Sequence, residues 1–253
     1  MYIDYTGIKM TNLTTEEFWT KLGRKIPKPG DKTSDMEFRE ILEEHLSKTD
    51  GIALEVGCVP GTFLAYLYNK FGYLPEGIDF DKKTKEITSK TLENFGVMGF
   101  TIYQKDFNKW RPKKRYDLEC SFGFIEHFDN AKEIVQKHID LVKEGGKVII
   151  EIPNFAGFNG FLHRLVDRPN LEKHNTSIMN LEFFKKIAEE NNLKIKYLGY
   201  YGSWHFQWGY GRLKTANILQ IAIYAILKMI SKITVHIKMR NKLSNYILFI
   251  AEK

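Results

Sequence analysis

Cysteine is scarce: Cys58 and Cys120 are the only two in 253 residues. Two thiols cannot build a disulfide framework or a four-thiolate zinc site, so no metal site is expected. Their scarcity fits a reducing compartment, and a cytoplasmic chain is the expectation. No window offers the roughly 20 uncharged apolar residues that a spanning helix needs. The opening residues, MYIDYTGIKMTNLTTEEFW, lack a basic start followed by an apolar core, so no secretory signal is expected. Internal repeats and low-complexity tracts are absent as well. Acids are missing from one stretch: between Ser203 and Ala251 stand Arg212, Lys214, Lys228, Lys232, Lys238, Arg240 and Lys242, with no Asp or Glu. The chain's net charge is +7, so the remainder is neutral. A neutral body with one basic segment does not suggest a nucleic-acid partner.

What is present is ordinary for a globular protein. Hydrophobic residues make up 43% and charged residues 27%, too apolar for disorder. The length fits one α/β domain or one with a modest insertion. Thr14-x-x-Glu17 and Ser34-x-x-Glu37 read as capping boxes that open two early helices, the first through Trp19 and the second to about Lys48. The Pro/Gly loop Lys25–Lys32 separates them. Ile52–Val56 then reads as a buried strand, broken by Gly57–Gly61 and followed by a helix over Phe63–Phe71. Further strands are expected up to Asp79 and over Phe100–Gln104, Tyr116–Ser121, Lys147–Ile152, Lys194–Tyr201 and Tyr246–Ala251. Helices are expected over Lys82–Phe95, Ala131–Leu141 and Leu181–Asn191. This alternation predicts an α/β fold, a doubly wound, mostly parallel seven-stranded sheet. The expected organisation is a helical cap over 1–50, the sheet domain over 51–202 and 245–253, and an insertion over 203–244.

In such a sheet, ligands bind beyond the carboxyl ends of the strands. The first strand runs into Glu55-Val-Gly57-Cys58-Val59-Pro60-Gly61-Thr62, a glycine turn that lets a ligand approach the backbone at a helix start. The second ends in Asp79, where a carboxylate can accept both hydroxyls of a ribose. The third is followed by Lys105-Asp106-Phe107, an acceptor for an exocyclic amine beside an aromatic face. The fourth ends in Ser121-Phe-Gly-Phe-Ile-Glu126-His127. A nicotinamide dinucleotide would need glycines at 59 and 62, where Val59 and Thr62 stand, and it has no use for Asp106.

Together these residues resemble the class I S-adenosylmethionine-dependent methyltransferases, with specific motifs over about Ile52–Asn154. The resemblance implies a Rossmann-like methyltransferase fold and S-adenosyl-L-methionine as cofactor. It places Glu55, Gly57 and Gly61 around the methionine moiety, Asp79 on the ribose and Asp106 on the adenine amine. Cys58, Phe80, Phe107 and Ser121 adjoin those positions and are included among the expected cofactor contacts. As thiols, Cys58 and Cys120 read as small core-facing side chains, not nucleophiles. The chain departs from the family's loop at Val59, where a glycine is usual.

His127 is the candidate general base, because it should project from the fourth strand end and its free pKa lies near neutrality. The competing reading is a histidine that only orders the loop. His174 is a second candidate. No Asn/Asp-Pro-Pro-aromatic motif follows the fourth strand, which argues against that route to methylating nucleic-acid bases. The expected reaction is methyl transfer to oxygen or nitrogen of a small molecule, a glycan or lipid-linked intermediate among the candidates. Trp19, Tyr201, Trp204 and His205 are the expected acceptor contacts; the aromatic segment Tyr200–Tyr210 reads either as an acceptor wall or as a hydrophobic corner. Ala216–Met239 reads as a helix with a broad apolar face and three candidate jobs: a clamp over the domain, a homodimer contact, or peripheral contact with an anionic membrane. A second functional reading is a non-catalytic membrane-peripheral or dimerising module on the same fold.

Overall fold

Apolar side chains alternating along the strands set the two faces of the central sheet. The computed structural model describes residues 12–21, 26–28, 37–209 and 214–253. Its strands are β1 (Ile52–Val56), β2 (Leu74–Asp79), β3 (Thr101–Gln104), β4 (Tyr116–Phe122), β5 (Val142–Pro153), β6 (Lys194–Tyr201) and β7 (Tyr246–Glu252). They pair in the order β3-β2-β1-β4-β5-β7-β6. β1 to β5 pair in parallel, while β7 runs antiparallel to both β5 and β6. The doubly wound, mostly parallel seven-stranded sheet expected from the sequence is therefore present.

On one face lie Leu54, Val56, Ile150, Ile152, Ile247 and Phe249. Helices α5 (Ala131–Asp140) and α8 (Leu181–Glu190) cover them with Ile134, Val135, Phe184 and Ile187. Their neighbours in sequence, Ala53, Ile149, Leu248 and Ile250, turn to the opposite face. There α2 (Arg39–His45) and α3 (Thr62–Phe71) add Ile41, Leu42, Leu67 and Phe71. α4 (Thr84–Asn94) supplies Leu92 to a third cluster with Leu64 and Val97.

Some element starts differ from the sequence reading. α1 spans Glu16–Lys21, and Thr15 Oγ1, not Thr14, accepts the N–H of Phe18 at 3.2 Å. Thr14 Oγ1 instead accepts the indole N–H of Trp19 at 3.0 Å, so the hydroxyl read as a cap ties down an aromatic side chain. Ser34 lies outside the described residues, as do Tyr210 and Arg212. Two helices were not anticipated, α6 (Gly157–Val166) and the short α7 (Arg168–Leu171). The expected helix Ala216–Met239 is α9, Ile218–Thr234, opened by a capping box in which Asn217 and Gln220 satisfy each other's backbone N–H groups.

One buried acid in this framework has a consequence for stability. Glu119 of β4 is fully buried, and neither carboxylate oxygen has a hydrogen-bond partner. His138 Nε2 stands 3.7 Å from Glu119 and 3.0 Å from Ser121 Oγ. Burial pushes the Glu119 carboxyl well above its ordinary value, and burial together with Lys137 pulls His138 down to about 3. A raised carboxyl pKa gives stability that is complete below the unfolded value and declines as pH rises beyond it. Glu119→Gln removes that decline. Thermal melts should show equal stability of variant and parent near pH 4, and a gap favouring the variant that widens by up to about 1.4 kcal/mol per pH unit above it.

Candidate active site

The sheet order reverses between β1 and β4, and a crevice opens at the carboxyl ends of the strands there. β1 enters it through Gly57, at φ +77°, where a Cβ would stand 3.1 Å from the Phe124 ring. Only glycine lets the loop pass beneath that ring. Asp79 at the end of β2 is nearly buried, and its Oδ1 accepts the N–H of Asp81 at 3.0 Å. Asp106 follows β3, its Oδ1 accepting the N–H of Asn108 at 2.9 Å. The crevice consists of two adjoining hollows that share Asn12, Asp79, Phe80, Phe124 and Phe128. The larger holds about 630 Å³ of empty space out to its mouth and carries Gly57, Trp19 and His127. The smaller holds about 280 Å³ and carries Lys105, Asp106 and Phe107.

The loop after β4 brings in the histidine. Ile125–His127 forms a single 3-10 turn, and Trp19 packs edge-on against the His127 ring with centroids 5.0 Å apart. His127 Nδ1 lies 2.8 Å from the carbonyl oxygen of Lys173. A carbonyl only accepts, so Nδ1 carries the proton and Nε2 the lone pair. His174 repeats the pattern, its Nδ1 standing 2.8 Å from Asn170 O. The two rings lie 4.7 Å apart, and Glu126 Oε1 is 3.6 Å from His127 Nε2. Burial, with His127 adding to it, pulls His174 down to about 3, so it is neutral at physiological pH. Burial pushes the Glu126 carboxyl well above its ordinary value, with Glu151 adding to that.

Several expected site residues are brought together here and several are not. Gly57, Asp79, Phe80, Asp106, Phe107, Trp19 and His127 line the crevice, and His174 stands behind His127. Glu55, Cys58, Gly61 and Ser121 are not among the lining residues. Glu55 is buried beneath the loop in β1, and Cys58 packs against Gly77 in the core. A Cβ on Gly61, at φ +100°, would meet Thr88 at 2.8 Å, so this glycine serves the approach of α3 to α4. Ser121 is engaged by His138.

The acceptor wall expected at Tyr201, Trp204 and His205 does not form. Tyr201 is buried in the core with Phe38. Trp204 gives its indole N–H to Asn159 Oδ1 at 2.8 Å and packs with Leu162, Val166 and Leu227. His205 lies beside Asn245 in a separate small hollow with Trp204 and Phe206. The segment is the hydrophobic corner under α9, because α6 and α9 need an apolar seat.

Glu126, Lys137 and Asn175 were missed by the sequence reading. Glu126 adjoins His127 in the quoted motif, so its proximity was legible. Lys137 was not: it reaches from α5 to donate to Phe107 O and stands 4.3 Å above the Phe107 ring. Burial, then Arg111, pulls that lysine down to about 7.

A family model described as a methyltransferase domain matches residues 32–198. The chain is 28% identical over 204 residues to malonyl-[acyl-carrier protein] O-methyltransferase 2 of Ilyobacter polytropus, covering 70% of this chain and 74% of that one. Coclaurine N-methyltransferase, solved with N-methylheliamine and S-adenosylhomocysteine, superposes with a TM-score of 0.55 at 12% identity, over 85% of this chain and 69% of that one. Magnesium protoporphyrin IX methyltransferase of Synechocystis PCC 6803, with bound S-adenosylhomocysteine, gives 0.53 at 14% identity, over 88% and 81%. At these identities the two solved structures speak to the fold alone.

The crevice suits a nucleoside cofactor with a charged tail: a loop kept close by Gly57, and two carboxylates, Asp79 shared by both hollows and Asp106 in the smaller. Titration calorimetry with S-adenosylhomocysteine is expected to give micromolar binding, about −8 kcal/mol. Asp79→Ala should weaken it by roughly a hundredfold, the scale of hydrogen bonds to a charged acceptor. Unchanged affinity in the variant would remove Asp79 from the site.

Proposed function

The chain belongs to the methyltransferase-domain family, and from that premise we propose that it takes its methyl group from S-adenosylmethionine and delivers it to oxygen or nitrogen of a small molecule in the larger hollow. The observation that carries this reading is that Asp79, Trp19 and His127 line one hollow. When bound, the cofactor supplies an electrophilic methyl on a sulfonium, and the protein's task is to hold an acceptor atom in line with it.

Asp79 and Asp106 hold the ribose and the adenine amine, and Gly57 lets the backbone lie close. Val59, where the family's loop usually has glycine, lines the same hollow. Trp19, Phe124 and Phe128 keep water from the acceptor. An acceptor hydroxyl must lose its proton, and the group formed by Glu126, His127 and His174 stands beside the hollow where that proton leaves.

The acceptor class is read from the surface nearby. Only Leu227 of α9 is buried, while Ile218, Leu219, Ile226, Met229 and Ile233 are exposed. On the neighbouring α6, Phe158, Phe161 and Leu165 stand out at i, i+3 and i+7. No helix among the described residues is long and apolar enough to cross a membrane. An apolar stripe within a segment of seven cations and no acids suits an anionic bilayer surface, each cation adding about 1 kcal/mol. That surface supports a lipid-linked acceptor. A homodimer through 216–239 would bring like charges together.

Two measurements test this reading. His127→Ala should lower turnover about a hundredfold or more, the lower side of what a proton-transfer group contributes, while affinity for S-adenosylhomocysteine is kept. Unchanged turnover would take His127 out of the reaction. The protein should co-sediment at low salt with vesicles containing phosphatidylserine, and less so as Met229→Asp. Failure of the parent protein to sediment would end the membrane reading.

A further inference from the structure

Glu126 and His127 are neighbours in the chain and His174 stands 47 residues on, yet one ligating atom of each lies within 4.8 Å of the others. Both imidazoles are oriented alike: each spends its Nδ1–H on a backbone carbonyl, Lys173 O or Asn170 O, at 2.8 Å. This leaves Nε2 as the lone-pair nitrogen on both rings. Histidines that ligate metals are held in this way, with the far nitrogen donating to a carbonyl or carboxylate. Glu126 is 1% exposed, and its Oε2 has no hydrogen-bond partner. A buried carboxylate oxygen without a donor is costly unless a proton or a metal cation meets it.

The scaffold around the three is tied. Asn175 N–H donates to Glu126 O at 2.6 Å, and its side-chain amide donates to Phe128 O and Asp129 O at 3.0 and 3.1 Å. The His174 segment is thereby fastened to the loop after β4. Phe155 packs edge-on against the His174 ring with centroids 4.8 Å apart. Ligand atoms around a tetrahedral zinc stand about 3.3 Å apart, so a spread of up to 4.8 Å closes by small side-chain rotations on a fixed backbone.

We propose that Glu126, His127 and His174 form a binding site for a divalent transition-metal ion beside the larger hollow. Two imidazoles and one carboxylate suit Zn²⁺, Co²⁺, Mn²⁺ or Fe²⁺ rather than Mg²⁺, which prefers an all-oxygen set. Three protein ligands leave coordination positions open toward the hollow that His127 lines. An acceptor with two adjacent oxygens, such as a vicinal diol or a hydroxy acid, would fill them and lose its proton more readily while so held. That catalytic use rests on the methyl-transfer reading of the cavity; the binding of the ion does not.

Cobalt titration of the purified, metal-stripped protein tests the site directly. Visible d–d absorption should saturate at one Co²⁺ per chain and be displaced by Zn²⁺. Glu126→Gln and His174→Ala should each weaken uptake by tenfold or more, with folding checked by thermal melting. Where a variant does not fold, proton NMR of the cobalt-loaded parent protein decides: two hyperfine-shifted exchangeable resonances are expected from the Nδ1–H groups of His127 and His174. No stoichiometric uptake, uptake unchanged in both variants, or absence of those two resonances overturns the site. Calorimetry with S-adenosylhomocysteine on the stripped protein is read separately, so loss of the metal site and loss of the cofactor site are distinguishable.

Discussion

The loop that follows β4 is held by hydrogen bonds from three directions, and the crevice takes its shape from it. Gly123 N–H donates to Glu151 O at 2.9 Å, fixing the loop to β5. Leu13 N–H donates to His127 O at 2.8 Å, and Asn12 bridges Phe128, so the segment before α1 lies against it. Asn175 N–H donates to Glu126 O from the other side. With its backbone satisfied in this way, the loop can present Phe124 over Gly57 and turn His127 toward Trp19. Displacing it would unseat the glycine turn, the aromatic wall and both histidines together.

The site combines two physical regimes. At the Asp79 and Asp106 end, each carboxylate is anchored by the backbone N–H group at i+2, an arrangement that keeps it aimed. At the Glu126 end, burial dominates: the carboxyl is pushed up and His174 is pulled down until it is neutral. One end suits neutral hydroxyls and an amine, whereas the other suits a cation or a proton in transit. Asp79 and His127 share one hollow, and Gly57 stands with them in its lining.

The surface formed by α6 and α9 follows another logic. α6 and α9 bury Leu162, Val166, Trp204 and Leu227 against one another and leave most of their apolar residues outside. The aromatic segment after β6 serves as their seat, with Trp204 held by Asn159 and Thr234 donating to Trp204 O at 2.6 Å. An apolar stripe set among cations thus lies on a helix pair that the rest of the chain supports but does not cover.

Strand and helix periodicity made most of the architecture legible. β6 falls on Lys194–Tyr201 as read, β1 on Ile52–Val56, and the glycine turn and two carboxylates fall beyond the strands that carry them. Such features are local, because alternation, capping chemistry and a residue's distance from a strand end are properties of neighbours in the chain. The antiparallel course of β7 was not local, nor was the removal of Tyr201, Trp204 and His205 from the crevice, since an aromatic cluster can line a cavity or fill a core equally well. Neither was the meeting of His127 with His174, 47 residues later, or the orientation of both rings by backbone carbonyls. By itself the sequence determined the fold and the placing of the glycine turn and two carboxylates at strand ends, where motif and strand end coincide. Only the tertiary structure decided the histidine end of the crevice, because its side chains come from segments whose proximity depends on how helices and loops pack over the finished sheet.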